Sequence, residues 1–284
     1  MNDNAHSLLD LRVAAAARVA KTARELMREA ARTASEPYQT LLLVIGERAA
    51  RTYDASVALA SHGDGIQAAM LNRSLLEDAL DVVWVDANPQ DAMARADEHD
   101  RAISLADRDI EWKAKGTGSR LTPAEQDELR AAIRRYKGFQ ASWTLSSEPD
   151  RIVLLKARMP TDAADSIDYA YDAIKRRSNA LLHGSPAAWH QLIDRGPNGL
   201  RIREGVPDHW WLEALRHAVL GHHLVMRSIA ASFRLDPTAQ NDAFHHASCV
   251  TSELTVEQLA VVDRASPCPC GSGRSFESCH GLAS

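Results

Sequence analysis

Apolar residues return every three or four positions along nearly the whole chain, and runs that alternate β-branched with polar residues are nearly absent. Alanine, leucine, arginine and glutamate dominate these stretches, all strong helix formers. The pattern predicts helices over residues 5–33, 37–60, 64–86, 89–114, 123–139, 161–183, 208–233 and 255–264, separated by proline, glycine and asparagine. The sharpest boundary is Thr122-Pro123-Ala124-Glu125, a capping box with proline at the first helical position. Loops are expected at Gly116–Arg120 and at Arg195–Pro207, the second marked by Gly196-Pro197-Asn198-Gly199. Residues 236–265 read as a loose helical connection. The fold class is therefore all-α, a multi-helix bundle over residues 1–235.

The third predicted helix carries charge where a core helix should have little. On a helical wheel Gln67, Ser74, Asp78 and Asp81 gather on one face, expected to meet solvent, while Ala69, Leu76, Ala79 and Val83 lie opposite. Arg73 and Glu77 sit on neither face and share a stripe with Ile66, Leu80 and Trp84. An ionisable pair on an apolar stripe costs desolvation energy unless partners are supplied. Two readings stay open: an i,i+4 salt bridge at the core edge, or two side chains pointing into a polar cavity between helices.

A second polar stripe closes the helix predicted at 161–183. Tyr169, Asp172, Arg176, Asn179 and His183 fall on one helical face, and Gly184 and Pro186 end the helix just after His183. A histidine at a helix C-terminus is favoured as the imidazolium and can titrate near neutral pH. An ordinary wet helix face gives the same pattern.

Arg177-Ser178-Asn179-Ala180-Leu181-Leu182-His183 resembles the arginine-to-histidine signature of HEPN domains, helical bundles that often dimerise and include metal-independent ribonucleases. Those domains commonly place arginine directly before the asparagine, where this chain has Ser178. The resemblance implies a homodimer acting on RNA in stress or phage defence. His183 would take the 2′-hydroxyl proton, Arg176 or Arg177 would steady the phosphorane, and Asn179 would orient substrate or base. Glu77 and Arg73 would complete the pocket or hold the helix in register. The charged third helix, followed by a His-Gly helix end, also resembles a family of uncharacterised bacterial all-helical proteins.

The last nineteen residues are of another kind. Cys268, Cys270, Cys279 and His280 place four soft or borderline ligands within thirteen residues, a set suited to a closed tetrahedral Zn2+ shell. Gly271 and Gly273 allow a tight reversal between the two halves. The alternative, a disulfide, leaves an odd thiol and asks Cys268 and Cys270 to bridge across one residue. Pro267 to Gly281 resembles the SEC-C motif, the zinc hook at the C-terminus of the bacterial preprotein-translocase motor ATPase. That resemblance implies a structural zinc and a protein partner bound through residues 266–284. Arg274 to Ser278 stand where the motif usually has lysines and a tyrosine, so the basic surface is thinner.

Composition narrows the field further. A net charge of −5 with 25% charged residues makes no electrostatic magnet for nucleic acid, so RNA contact would need a local patch. Arg130, Arg134, Arg135 and Lys137 offer one such edge, which also reads as a solvated face. Glu213 with His217, the pair His222-His223, and Asp242 with His246 beside His245 are candidate metal ligands, each group short of a full shell. Cys249 reads as a small buried or half-exposed side chain. No Walker loop, dinucleotide fingerprint or nucleophile elbow is present. The N-terminus shows no signal-peptide pattern and no apolar run reaches the ~20 residues of a membrane span, so a reducing cytoplasm is expected. There, cysteine clusters bind metal more often than they cross-link. Two functions follow: a ribonuclease, or a non-enzymatic adaptor whose hook recruits a chaperone, ribosome or translocase component.

Overall fold

The computed structural model describes residues 3–138, 142–159, 161–182, 193–196, 199–202 and 208–251. Among them are nine helices: α1 (Asp3–Thr33), α2 (Pro37–Ser61), α3 (Gly65–Ala87), α4 (Pro89–Ala114), α5 (Pro123–Arg135), α6 (Glu148–Lys156), α7 (Thr161–Leu182), α8 (Asp208–Phe233) and α9 (Thr238–Val250). One antiparallel pair, β1 (Ile193–Gly196) and β2 (Gly199–Ile202), lies between α7 and α8. Apart from that hairpin the described residues are all-α. Its Gly196↔Gly199 pairing falls on the turn cluster read from the sequence, where a loop was expected from Arg195 onward. Four residues per strand carry too little pattern to separate a hairpin from a loop.

The helix termini follow local chemistry. Thr122 Oγ1 accepts from the Glu125 amide at 3.2 Å while Glu125 receives the Thr122 amide at 2.8 Å. Both halves of the capping box read from the sequence are therefore made. Ser147 does the same half-duty for α6, accepting from the Asp150 amide at 3.3 Å with Pro149 inside the first turn. This nine-residue helix has no counterpart among the predicted elements. Its start carries a cap-and-proline signal like that of α5, but two turns are too short for a periodic pattern.

α3 is the central element. It packs against α2 and α8 and is flanked by α6 and α7. Leu75, Leu76, Ala79, Leu80, Val82, Val83, Trp84 and Val85 are all buried, and each large apolar side chain so buried stabilises the fold by about 1.5–3 kcal/mol. Small residues set the spacing. A Cβ on Gly65 would meet the Trp211 backbone nitrogen at 2.5 Å and the Trp210 carbonyl carbon at 2.7 Å, so only glycine lets α3 start against α8. α1 contributes an alanine-rich inner stripe, Ala15, Ala16, Ala20, Ala23 and Ala30, and packs on α2, α8 and α9.

Two expectations change here. The connection predicted at 236–265 begins as a body helix: α9 buries Gln240, Ala243, Ala247, Cys249 and Val250, and Arg12 Nε bonds the Val250 carbonyl at 3.0 Å. The bundle thus runs past residue 235 at least to 250. The helix expected at 255–264 and the cysteine motif lie outside the described residues.

α4 and α5 form a hairpin with small apolar clusters of their own, Ala102, Ala132 and Tyr136 in one and Leu105, Leu121 and Leu129 in the other. Arg101–Glu128, Arg108–Glu125 and Arg135–Glu98 pairs tie the two helices together. This hairpin stands beside the face of α3 that matters next.

Candidate functional site

The face of α3 expected to meet solvent divides in two. Gln67 and Ser74 are exposed, but Asp78 and Asp81 are buried. The correction has a physical cause: α2, α6 and the segment 142–147 cover the second half of that face, α2 and α6 supplying cations and the segment an indole N–H. Arg48 Nε bonds Asp78 Oδ1 at 2.8 Å, and its Nη2 also reaches that oxygen. Arg151 Nη1 bonds Asp81 Oδ1 at 2.6 Å, and Trp143 Nε1 donates to Asp81 Oδ2 at 2.9 Å. A carboxylate given such partners can be buried where a bare one could not.

Arg73 and Glu77 resolve the same way. Glu77 meets Arg151 at 3.4 Å, and Arg73 reaches across to α7, donating from Nη1 to Asn179 Oδ1 at 2.6 Å. The cavity reading holds: the two line an open cleft of about 730 Å³. Arg48 and Thr52 from α2, Glu148 and Arg151 from α6, and Lys175 from α7 share its wall. Each pair sits three or four residues apart, on one helical face. His99 of α4 and Trp143 complete it. Trp143 stands edge-on to Trp84 at 5.6 Å, and Arg95 bonds the Thr144 carbonyl, so the segment is pinned from both sides. Leu145 adopts a left-handed φ of 52° there, a conformation costly for a branched side chain.

Charge in the cleft is balanced. Four cations (Arg48, Arg73, Arg151, Lys175) face four carboxyls (Glu77, Asp78, Asp81, Glu148), and Lys175 pairs with Glu148. Burial raises the proton affinity of Glu77, with Arg151 opposing it. Burial likewise pushes Asp78 up to about 6 against the pull of Arg48, and raises Asp81 against Arg151. Two buried atoms of the cleft lining have no hydrogen-bond partner among the described residues, Asp78 Oδ2 and Arg151 Nε. An orphan of this kind costs about 1–3 kcal/mol.

The second stripe does not stay together. Asn179 joins the cleft through Arg73. Arg176 points away, in a surface pair with Asp172 at 3.2 Å and 80% exposed. Ser178, where HEPN domains commonly carry arginine, is 1% exposed, and its Oγ bonds the Ala69 carbonyl at 2.7 Å, locking α7 to α3. The Arg177 side chain and His183 lie outside the described residues, as do Cys268, Cys270, Cys279 and His280.

Sequence reading passed over Arg48, Trp143, Arg151 and Lys175. Arg151 and Trp143 sit in or beside the short α6 that periodicity missed. Arg48 and Lys175 look like ordinary helix-surface cations until their partners on α3 and α6 are in place. Two of the four cations on the basic edge at α5 are paired, Arg130 on Asp127 and Arg135 on Glu98. His222 stacks on Tyr53 at 4.3 Å and His223 on Phe244 at 3.7 Å, both buried. Among the described residues no cluster of three or more His, Cys, Asp or Glu could hold a metal.

The arrangement defines an all-helical body with a charge-balanced polar cleft. Residues 40–199 match the model of DUF5677, a family of unknown function, and the chain belongs to that family. Every residue lining the cleft falls inside the matched span. Residues 264–282 match the SEC-C motif, a zinc-binding type of motif whose three thiols and one imidazole are all present. No curated protein and no solved structure matches the chain. Among the described residues no helix is long and apolar enough to cross a membrane.

Proposed function

We propose that the helical body is a binding module for a small polar molecule, seated in the cleft between α2, α3, α6 and α7, and that the SEC-C motif holds a structural zinc and attaches the module to a protein partner. The cleft carries the proposal: about 730 Å³ is the size of a small-molecule site, lined by convergent polar groups. Two of its buried groups each keep one polar atom without a partner among the described residues. Cys268, Cys270, Cys279 and His280 would complete the zinc shell, with the metal ordering the last residues only. This is the adaptor reading with a ligand added.

The test is capture of metabolites by the full chain, eluted and identified by mass spectrometry, beside a Ser74→Trp variant. Ser74 is exposed on the cleft wall, so the indole fills the site without disturbing the core. A molecule enriched by the parent protein and lost from the variant supports the reading. Equal recovery from both sinks it.

One observation favours the ribonuclease reading: Arg73 holds Asn179, four residues before His183. Two others weigh against it. Arg176 is committed to Asp172 at the surface, and a cleft with as many carboxyls as cations offers no net field for a polyanion. Purified protein incubated with structured and single-stranded RNA tests it. Cleavage that disappears in His183→Ala supports the ribonuclease, and cleavage undiminished in that variant removes His183 as the base.

A further inference from the structure

We infer that the cleft takes a zwitterion of dipeptide size, its carboxylate on Arg73 and its ammonium on Glu77. The inference rests on the binding reading above and names the class of ligand.

The cleft's own charges come first. Four cations and four carboxyls line it, so a ligand with net charge would leave part of that charge uncompensated in a partly buried site. A molecule carrying both signs leaves the balance intact. Its unspent valences are of both signs as well. Arg73 makes one hydrogen bond among the described residues, through Nη1 to Asn179, which holds the guanidinium in place with the rest of its five-donor fork unspent. Glu77 makes its ion pair among the described residues through Oε2 at 3.4 Å, leaving Oε1 as an acceptor. Beneath them lie the unpartnered Arg151 Nε, a donor on a side chain 4% exposed, and the unpartnered Asp78 Oδ2, an acceptor on a side chain 1% exposed. Donor and acceptor are therefore left over at two depths of one cleft.

Spacing selects the size. Arg73 and Glu77 stand one helical turn apart on α3, which puts their Cβ atoms about 5–6 Å from one another. Two long side chains splay beyond their Cβ atoms, and an extended dipeptide, with ends up to about 7 Å apart, can follow that splay where a single amino acid holds its charges roughly 3.5 Å apart. The volume of about 730 Å³ leaves room for two side chains. Its Trp143 wall and its hydroxyls, Thr52, Ser142 and Ser146, suit a mixed apolar and amide surface.

The experiment titrates the full chain with a panel of the dipeptides Ala-X and X-Ala, with alanine as the short zwitterion and inorganic phosphate and putrescine as controls of a single sign of charge. Thermal shift screens the panel and calorimetry measures the best dipeptide. The expected result is saturable one-to-one binding by at least one dipeptide. Its C-terminal amide and its N-acetyl form should each bind about tenfold more weakly or worse, the loss of one charge-assisted contact. Arg73→Gln should erase the preference for acid over amide, and Glu77→Gln the preference for free amine over N-acetyl. The blocked ligands need no variant, so they decide the matter even where a substitution disturbs folding. A panel with no binder overturns the inference, and so does a dipeptide that binds equally well with both ends blocked. If phosphate, putrescine or alanine alone binds and Ser74→Trp abolishes it, the cleft reading survives and the dipeptide is wrong.

Discussion

Arg151 Nη1 and Asp81 Oδ1 lie 2.6 Å apart with both side chains closed off from solvent, Arg151 at 4% and Asp81 at 6% exposure. Removing the charge on Asp81 leaves a buried guanidinium with Glu77 at 3.4 Å as its remaining anion. Asp81→Asn should therefore cost about 3 kcal/mol or more in urea unfolding at neutral pH. A cost under about 1 kcal/mol, the scale of an exposed pair, would contradict the buried network.

Asp78 differs in its partner, since Arg48 is half exposed where Arg151 is closed off. Its proton affinity is raised by burial to about 6, so the fold holds that proton more tightly than the unfolded chain does. Its stabilising contribution is complete below the unfolded value of about 3.9 and is lost as pH rises through about 6. Asp78→Asn removes that loss, and its partner Arg48 is 56% exposed and can be left to water. Stability of the variant relative to the parent should rise by about 1.4 kcal/mol per pH unit between about pH 4 and 6, read from urea midpoints. A flat difference across that window would mean Asp78 is ionised throughout.

His222 sits in the core against Tyr53 with neither ring nitrogen bonded among the described residues, and burial lowers its pKa to about 3. The fold keeps it neutral while the unfolded chain binds a proton below about 6.5. Its stability is thus present above that pH and lost as pH falls. His222→Leu deletes this liability. The variant should gain on the parent by about 1.4 kcal/mol per unit as pH drops from 6 to 5, and unfolding at each pH checks it. His223, also lowered to about 3 by burial, keeps its own share of the slope.

The α3–α7 contact predicts the effect of restoring the HEPN arginine. Ser178→Ala forfeits the bond to the Ala69 carbonyl and should cost about 1 kcal/mol. Ser178→Arg forces a long cation into a site with no space, and should cost at least twice that or detach α7. Thermal melts of the two variants decide it. Equal melting of Ser178→Arg and the parent would show α7 packing more loosely than the 2.7 Å bond implies.

Zinc removal should act locally. Metal analysis of the full chain is expected to give one zinc, and chelation should leave far-ultraviolet helicity nearly unchanged, since the bundle has its own caps and core. Three thiols should become reactive, Cys268, Cys270 and Cys279, while Cys249 stays protected by its burial. Loss of helix across the whole chain on chelation would join the two parts into one folding unit.

Local chemistry was legible because it acts within a few residues. Apolar spacing located α1 to α5, α7 and α8, the Thr122 box marked the start of α5, and four ligands in thirteen residues marked the SEC-C motif. Arg73 and Glu77 stood out because a charge on an apolar stripe demands an explanation. The sequence by itself therefore determined seven of the nine described helices, the SEC-C motif and two residues of the cleft. Tertiary structure decided the rest. Whether a face of α3 is wet depends on what lies over it, and α6 and the segment around Trp143 turned Asp78 and Asp81 from surface residues into buried ones. Whether Arg176 or Arg73 serves the second polar stripe depends on which side of α7 meets α3. A carboxylate's character follows from its neighbours' charge and from the water they exclude, and those neighbours lie 30, 62 and 70 residues away along the chain.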